Sequence, residues 1–138
     1  MIVLDTSVLS ELMRSRPDAA VLDWLDRQAS QAVWITSITL FECRFGLALL
    51  PDGRRRNTLE AAFADLLSQD LEDRVLPFDV DAAAQAASLA AARHRAGRPV
   101  DIRDTQIAAI AQARRATLAT RNVRHFEGLS VPVVNPWG

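Results

Sequence analysis

The chain contains no lysine: all 16 of its basic residues are arginine. That absence excludes a P-loop, whose lysine reaches the phosphates of a nucleotide. It also disfavours a receiver-type domain, which usually needs a phosphate-contacting lysine. There is one cysteine, Cys43, so no internal disulfide can form, and Cys/His spacing for a zinc site is missing. A reducing, cytoplasmic setting is therefore expected. No apolar run approaches the roughly 20 residues needed to span a bilayer. Ile2-Val3-Leu4 stands before Asp5 without a basic segment, and a signal peptide is not expected. An excess of one charge is lacking too. Sixteen basic against 17 acidic residues leave a net charge of −1, which disfavours a module that coats nucleic acid through bulk charge. Local positive charge or a bound metal remains compatible with that balance. Repeats, low-complexity tracts and Pro/Gly/Ser linkers are also absent.

What is present fits one domain over residues 1–138, with 49% hydrophobic residues to build a core. Ile2 to Leu4 is a short all-apolar run, as in a strand buried on both faces of a parallel sheet. Thr6 or Ser7 can cap a first helix, and Pro17-Asp18 opens a second with Val21, Leu22, Trp24 and Leu25 facing inward. Val33 to Ile35 reads as a strand, and Ser37 as the cap of a helix ending near Leu50 ahead of Pro51-Asp52-Gly53. A helix is expected over roughly Thr58 to Gln69, then a strand at Arg74 to Leu76. Asp79 or Asp81 caps an alanine-rich helix that stops at Gly97-Arg98-Pro99. Asp101 caps the next helix, which runs to about Arg114. Strands follow at Thr117 to Ala119 and, at an edge, Val131 to Val134. This alternation predicts an α/β fold, a three-layer α/β/α sandwich with a mainly parallel central sheet. Ligands of such folds bind at the carboxyl ends of the strands.

Three acids draw attention. Asp5 directly follows the first strand and should reach that crevice, although an aspartate there is commonly a helix cap. Glu42 is flanked at helical spacing by Ile38, Phe45 and Leu49, which predicts a carboxylate on the core-facing side of its helix. Such a group needs a partner, either an internal arginine or a metal. Asp104 lies in the first turn of its helix, with Ile107, Ala108 and Ala111 on the same stripe. The helix dipole alone could account for it. Carboxylates gathered together raise one another's pKa or require a cation. Oxygen-only ligands suit Mg²⁺ or Mn²⁺, and the combination points to metal-assisted phosphodiester hydrolysis.

The stretch IVLDTS (Ile2 to Ser7) resembles the opening motif of PIN-domain proteins. SITLFECRFGLALL (Ser37 to Leu50), DTQIAAIA (Asp104 to Ala111) and ATRNVRHF (Ala119 to Phe126) resemble the second, third and fourth motifs. With the closing VNPWG the resemblance runs nearly end to end. It is nearest to VapC-type toxins of toxin–antitoxin pairs, in their FitB-like branch. The resemblance implies an Mg²⁺/Mn²⁺-dependent endoribonuclease in which Asp5 and Asp104 are the main metal ligands and Glu42 completes the site directly or through water. The fourth position, often aspartate, is Asn122, which can orient water but adds no negative charge. Thr120 would support a carboxylate or phosphate. A small VapB-type antitoxin and a homodimer are also implied. The departure at Asn122 favours one alternative, an inactive PIN-like module that binds RNA or a partner. A phosphatase of the haloacid-dehalogenase type is disfavoured by Ser7, where a second aspartate would stand.

Arg121 and Arg124 flank Asn122 and can meet RNA phosphates. Arg54, Arg55 and Arg56 form the only basic run and read as a solvated loop, with phosphate guidance the second reading. His94 is expected at the surface, and His125 near the crevice without a partner that would define a base. Trp24 and Trp34 are expected in the core. Trp137 could cover a partner surface.

Overall fold

The computed structural model describes all 138 residues. Five strands form the centre: β1 (Ile2–Leu4), β2 (Val33–Thr36), β3 (Val75–Leu76), β4 (Thr117–Ala119) and β5 (Val133–Val134). They pair in the order β3-β2-β1-β4-β5, and every pairing is parallel. Val3 stands opposite Trp34 on one side and Leu118 on the other. Six helices connect the strands: α1 (Thr6–Leu12), α2 (Ala19–Asp26), α3 (Ser37–Ala48), α4 (Arg54–Asp65), α5 (Val80–Arg95) and α6 (Ile102–Ala113).

Side chains alternate across the strands and divide the core into two layers. Leu4, Val33, Ile35 and Ala119 pack with Val8, Leu9, Val21, Cys43, Leu47 and Phe63 from α1 to α4. Val3, Leu76 and Leu118 pack with Ala82, Ile107, Ala108, Ile110 and Ala111 from α5 and α6. The alanines let α5 and α6 lie close together, and the result is the expected three-layer sandwich. No helix is long and apolar enough to cross a membrane.

Helix ends follow local chemistry. Asp18, Asp79 and Asp101 cap α2, α5 and α6 through their side chains. Beyond α5, Gly97 adopts φ +70°, the Arg98 N–H donates to Arg93 O at 2.9 Å, and the Gly97 N–H donates to His94 O at 3.1 Å. This Schellman ending uses a glycine where the backbone is left-handed. After α6 the same two bonds recur, Ala116 N–H to Ala111 O and Arg115 N–H to Gln112 O, but the left-handed residue is Arg115 at φ +53°.

Several expectations need correction. Thr36, not Ser37, caps α3, its hydroxyl accepting from the Thr39 N–H at 3.1 Å. Neither Thr6 nor Ser7 caps α1; Asp5 holds that position. Arg54 to Arg56 are not a loop but the first turn of α4, which begins at Arg54 rather than Thr58 and ends in a π turn at Leu66–Asp70. Arg56 supports this start by donating to Asp52 at 3.0 Å and Glu60 at 2.7 Å. Leu22 is exposed. Trp24 and Trp34 are half-buried, one against each core layer. The last strand is shorter than expected, Val133–Val134, and does lie at an edge.

Candidate active site

The strand order reverses between β1 and β4, so a crevice opens at their carboxyl ends. Asp5 leaves β1 there and Thr120 leaves β4. Asp5 occupies the N-cap position of α1, yet its side chain makes no capping bond. Instead its Oδ2 accepts the Thr120 hydroxyl at 2.8 Å and the Ser7 hydroxyl at 2.9 Å. Those hydroxyls are themselves oriented by backbone donors: the Asn122 N–H reaches Thr120 Oγ1 at 3.0 Å and the Arg121 N–H reaches Ser7 Oγ at 3.2 Å. Each hydroxyl thus accepts from the loop after β4 and donates to one carboxylate oxygen. Asp5 is only 3% exposed, and its Oδ1 takes no hydrogen bond from the chain.

Asp104, in the first turn of α6, turns away from its own helix. Its Oδ2 lies 2.9 Å from His125 Nδ1. His125 belongs to a 3-10 turn at Val123–Phe126. Arg93 of α5 ties that turn to α6, donating to His125 O at 3.0 Å and Thr105 Oγ1 at 3.2 Å. Glu42, on α3, accepts the Thr6 hydroxyl at 2.8 Å, and its other oxygen is 3.5 Å from the Arg103 guanidinium.

The inward stripe expected around Glu42 is not the one found. The buried residues of α3 are Thr39, Cys43 and Leu47, while Phe45 and Leu49 are exposed. Glu42 stands at the border between these faces. Asp104 does share its helix with the buried Ile107, Ala108 and Ala111.

Two of the acids respond to their neighbours' charge. Burial pushes the pKa of Glu42 up, and the charges of Asp5 and Asp104 add to the rise; the Thr6 hydrogen bond and Arg103 oppose it. Burial likewise raises Asp104, followed by the charge of Asp5, with His125 opposing. The side chains are not drawn together as a closed cage of metal ligands. The donor chemistry nonetheless fits a hard divalent cation: Asp5, Glu42 and Asp104 offer carboxylate oxygens, the charge of Asp5 raises the pKa of the other two, and Asp5 Oδ1 is free of hydrogen bonds.

Thr120 sits where the sequence places it, at the strand end. The Asn122 side chain is exposed and makes no hydrogen bond within the chain. Arg121 stacks over Trp137, 5.0 Å from the ring centroid, and Arg124 is exposed on the 3-10 turn. Sequence reasoning missed the roles of Thr6, Ser7, Arg103 and His125 as contacts of the acids. For the two hydroxyls a signal existed, since they directly follow Asp5. Arg103 and His125 depend on packing between α3, α6 and the loop after β4.

Together these features define a parallel α/β domain with an acidic strand-end site of the kind nucleases use. The chain belongs to the PIN-domain family, whose model matches residues 2–130. It is 42% identical to the VapC ribonuclease Y4jK of Sinorhizobium fredii, over 99% of this chain and 98% of that protein. It is 36% identical to toxin FitB of Neisseria gonorrhoeae, with 99% of each chain covered. A solved structure of FitAB bound to an IR36 DNA fragment superposes with a TM-score of 0.91 at 36% identity, covering 100% of this chain and 96% of that one.

Proposed function

We propose that this protein is a divalent-metal-dependent endoribonuclease acting as the toxin of a type II toxin–antitoxin pair in the cytoplasm. The observation that carries the reading is the geometry of Asp5 at the β1/β4 switch point, buried with one oxygen held by Ser7 and Thr120 and the other free of hydrogen bonds, close enough to Asp104 and Glu42 for its charge to raise the pKa of both. Asp5 and Asp104 would hold Mg²⁺, or Mn²⁺, with Glu42 completing the set. Such an ion supplies positive charge against a bridging phosphate and makes water a better nucleophile.

The remaining residues act on geometry. Ser7 and Thr120 lock one oxygen of Asp5 and leave the other directed at the crevice. Thr6 orients Glu42, and Arg103 shares its charge. His125 holds one oxygen of Asp104. Asn122, exposed beside Thr120, can orient water or a phosphate oxygen, and Arg121 and Arg124 can meet the RNA backbone. The neutral amide of Asn122 places the negative charge of the site on three acids rather than four.

The likeness to the FitAB complex supports a small VapB-type antitoxin as partner, and a guanidinium of that partner would suit the acidic pocket. The stacked, exposed Phe41 and Phe45 on α3, with rings 5.8 Å apart, support self-association as a homodimer, which light scattering tests.

Asp5→Asn and Asp104→Asn should abolish RNA cleavage with an unchanged circular-dichroism spectrum, and EDTA should silence the parent. Full activity in either variant, or cleavage indifferent to EDTA, would remove the reading.

A further inference from the structure

A groove of about 860 Å³ opens between α1, α3 and α4, and it shares Thr6 and Glu42 with the acidic site. Arg54 and Arg55, from the first turn of α4, line the same groove. Apart from Glu42, the charged groups on its walls are all arginines: Arg14, Arg54 and Arg55. These three are not equivalent. Arg14 is already bound to both oxygens of the buried Glu11 at 3.1 Å. Arg56, next in the basic run, is turned to Asp52, Glu60 and the Leu50 carbonyl and does not line the groove. Arg54 and Arg55 are exposed and form no ion pair. Two uncompensated guanidinium groups therefore face a channel that leads to the acids.

We propose that this groove is the track for single-stranded RNA flanking the scissile bond, with Arg54 and Arg55 as its phosphate contacts. The inference rests on the nuclease reading and names residues which that reading does not use. A polyanion is favoured because the free charge on the walls beyond Glu42 is positive and the groove is continuous with the site where a phosphodiester would lie. Guanidinium groups bind phosphate oxygens through paired N–H donors. The apolar Met13, Leu47, Leu50 and Leu59 offer bases a surface, and Ser10 and Thr58 offer hydroxyls to the sugar and phosphate.

The test measures binding of a short fluorescein-labelled single-stranded RNA by anisotropy, across a salt series and in Mg²⁺ buffer. Asp5→Asn serves as the uncleaving background. Adding Arg54→Gln and Arg55→Gln should weaken binding and lower the slope of log affinity against log salt by about 1.4, two phosphate contacts at ~0.7 each on a single strand. In the active enzyme the same pair should reduce kcat/KM about tenfold while kcat at saturating RNA stays near the parent value. Arg98→Gln, exposed and outside the groove, should change neither quantity. Thermal unfolding of each variant verifies folding. An unchanged slope and affinity, with parent cleavage intact, overturns the track and leaves the nuclease reading standing. Failure of the parent to cleave RNA overturns both. Loss of antitoxin binding with RNA affinity retained assigns the groove to the protein partner and also overturns the proposal.

Discussion

Replacing Thr120 by valine removes one hydroxyl from a fully buried side chain and leaves its shape almost unchanged. Two bonds disappear together. Asp5 Oδ2 loses a donor at 2.8 Å and keeps only Ser7, while the Asn122 N–H loses its acceptor at 3.0 Å. A hydrogen bond to a charged group contributes about 1.5–3 kcal/mol, and a neutral one about 1 kcal/mol when its donor cannot fully rehydrate. The expected cost of Thr120→Val is therefore about 2.5–4 kcal/mol, lowering Tm by roughly 8–16 °C for a domain of this size. Thermal unfolding by circular dichroism in EDTA reads this directly. Because Thr120 orients a proposed metal ligand without being one, activity should fall about 10- to 100-fold as well. Thr120→Ser keeps the hydroxyl and loses a methyl group, so it should recover most of the activity and lose only about 1 kcal/mol of stability. If valine matched the parent in Tm and activity, or serine were as damaging as valine, the argument that these bonds hold Asp5 in place would be wrong.

Three further outcomes follow from particular contacts. Arg115 pays the left-handed penalty at the end of α6, so Arg115→Gly should raise stability by about 1 kcal/mol and Tm by a few degrees; an unchanged or lower Tm in a thermal melt refutes this. Burial and the nearby Glu42 charge push the Cys43 thiol up to about 11. Since a raised pKa keeps the thiol protonated, alkylation by iodoacetamide should be slow in the native protein at mildly alkaline pH and accelerate only near that value. Rapid native labelling at pH 8, followed by mass spectrometry, would contradict it. Millimolar Mg²⁺ should raise the Tm of the EDTA-treated parent by several degrees, since a ligand at a hundredfold excess over its Kd adds about 2.7 kcal/mol; Asp104→Asn should lose most of that increase, and an equal shift in both proteins would place the ion elsewhere.

The features legible in the sequence were those set by neighbours along the chain. Ile2 to Leu4 reads as a doubly covered strand because it is short and wholly apolar, and Asp101 reads as a cap because its carboxylate can accept from the free N–H groups of the helix that follows. Alternating strands and helices narrowed the architecture to a parallel sandwich, and an acid ending the first strand pointed to its crevice. The face of α3 was not legible. Phe41, Phe45 and Leu49 are as apolar as Cys43 and Leu47, so periodicity alone could not say which of them meets the sheet. Only the tertiary structure decided that Thr120, 115 residues away, would hold Asp5 in place, that Arg103 would reach Glu42, and that Arg54 and Arg55 would open onto the same crevice. Those relations depend on the strand order and on helix packing, which bring together charges that no local rule of the chain connects.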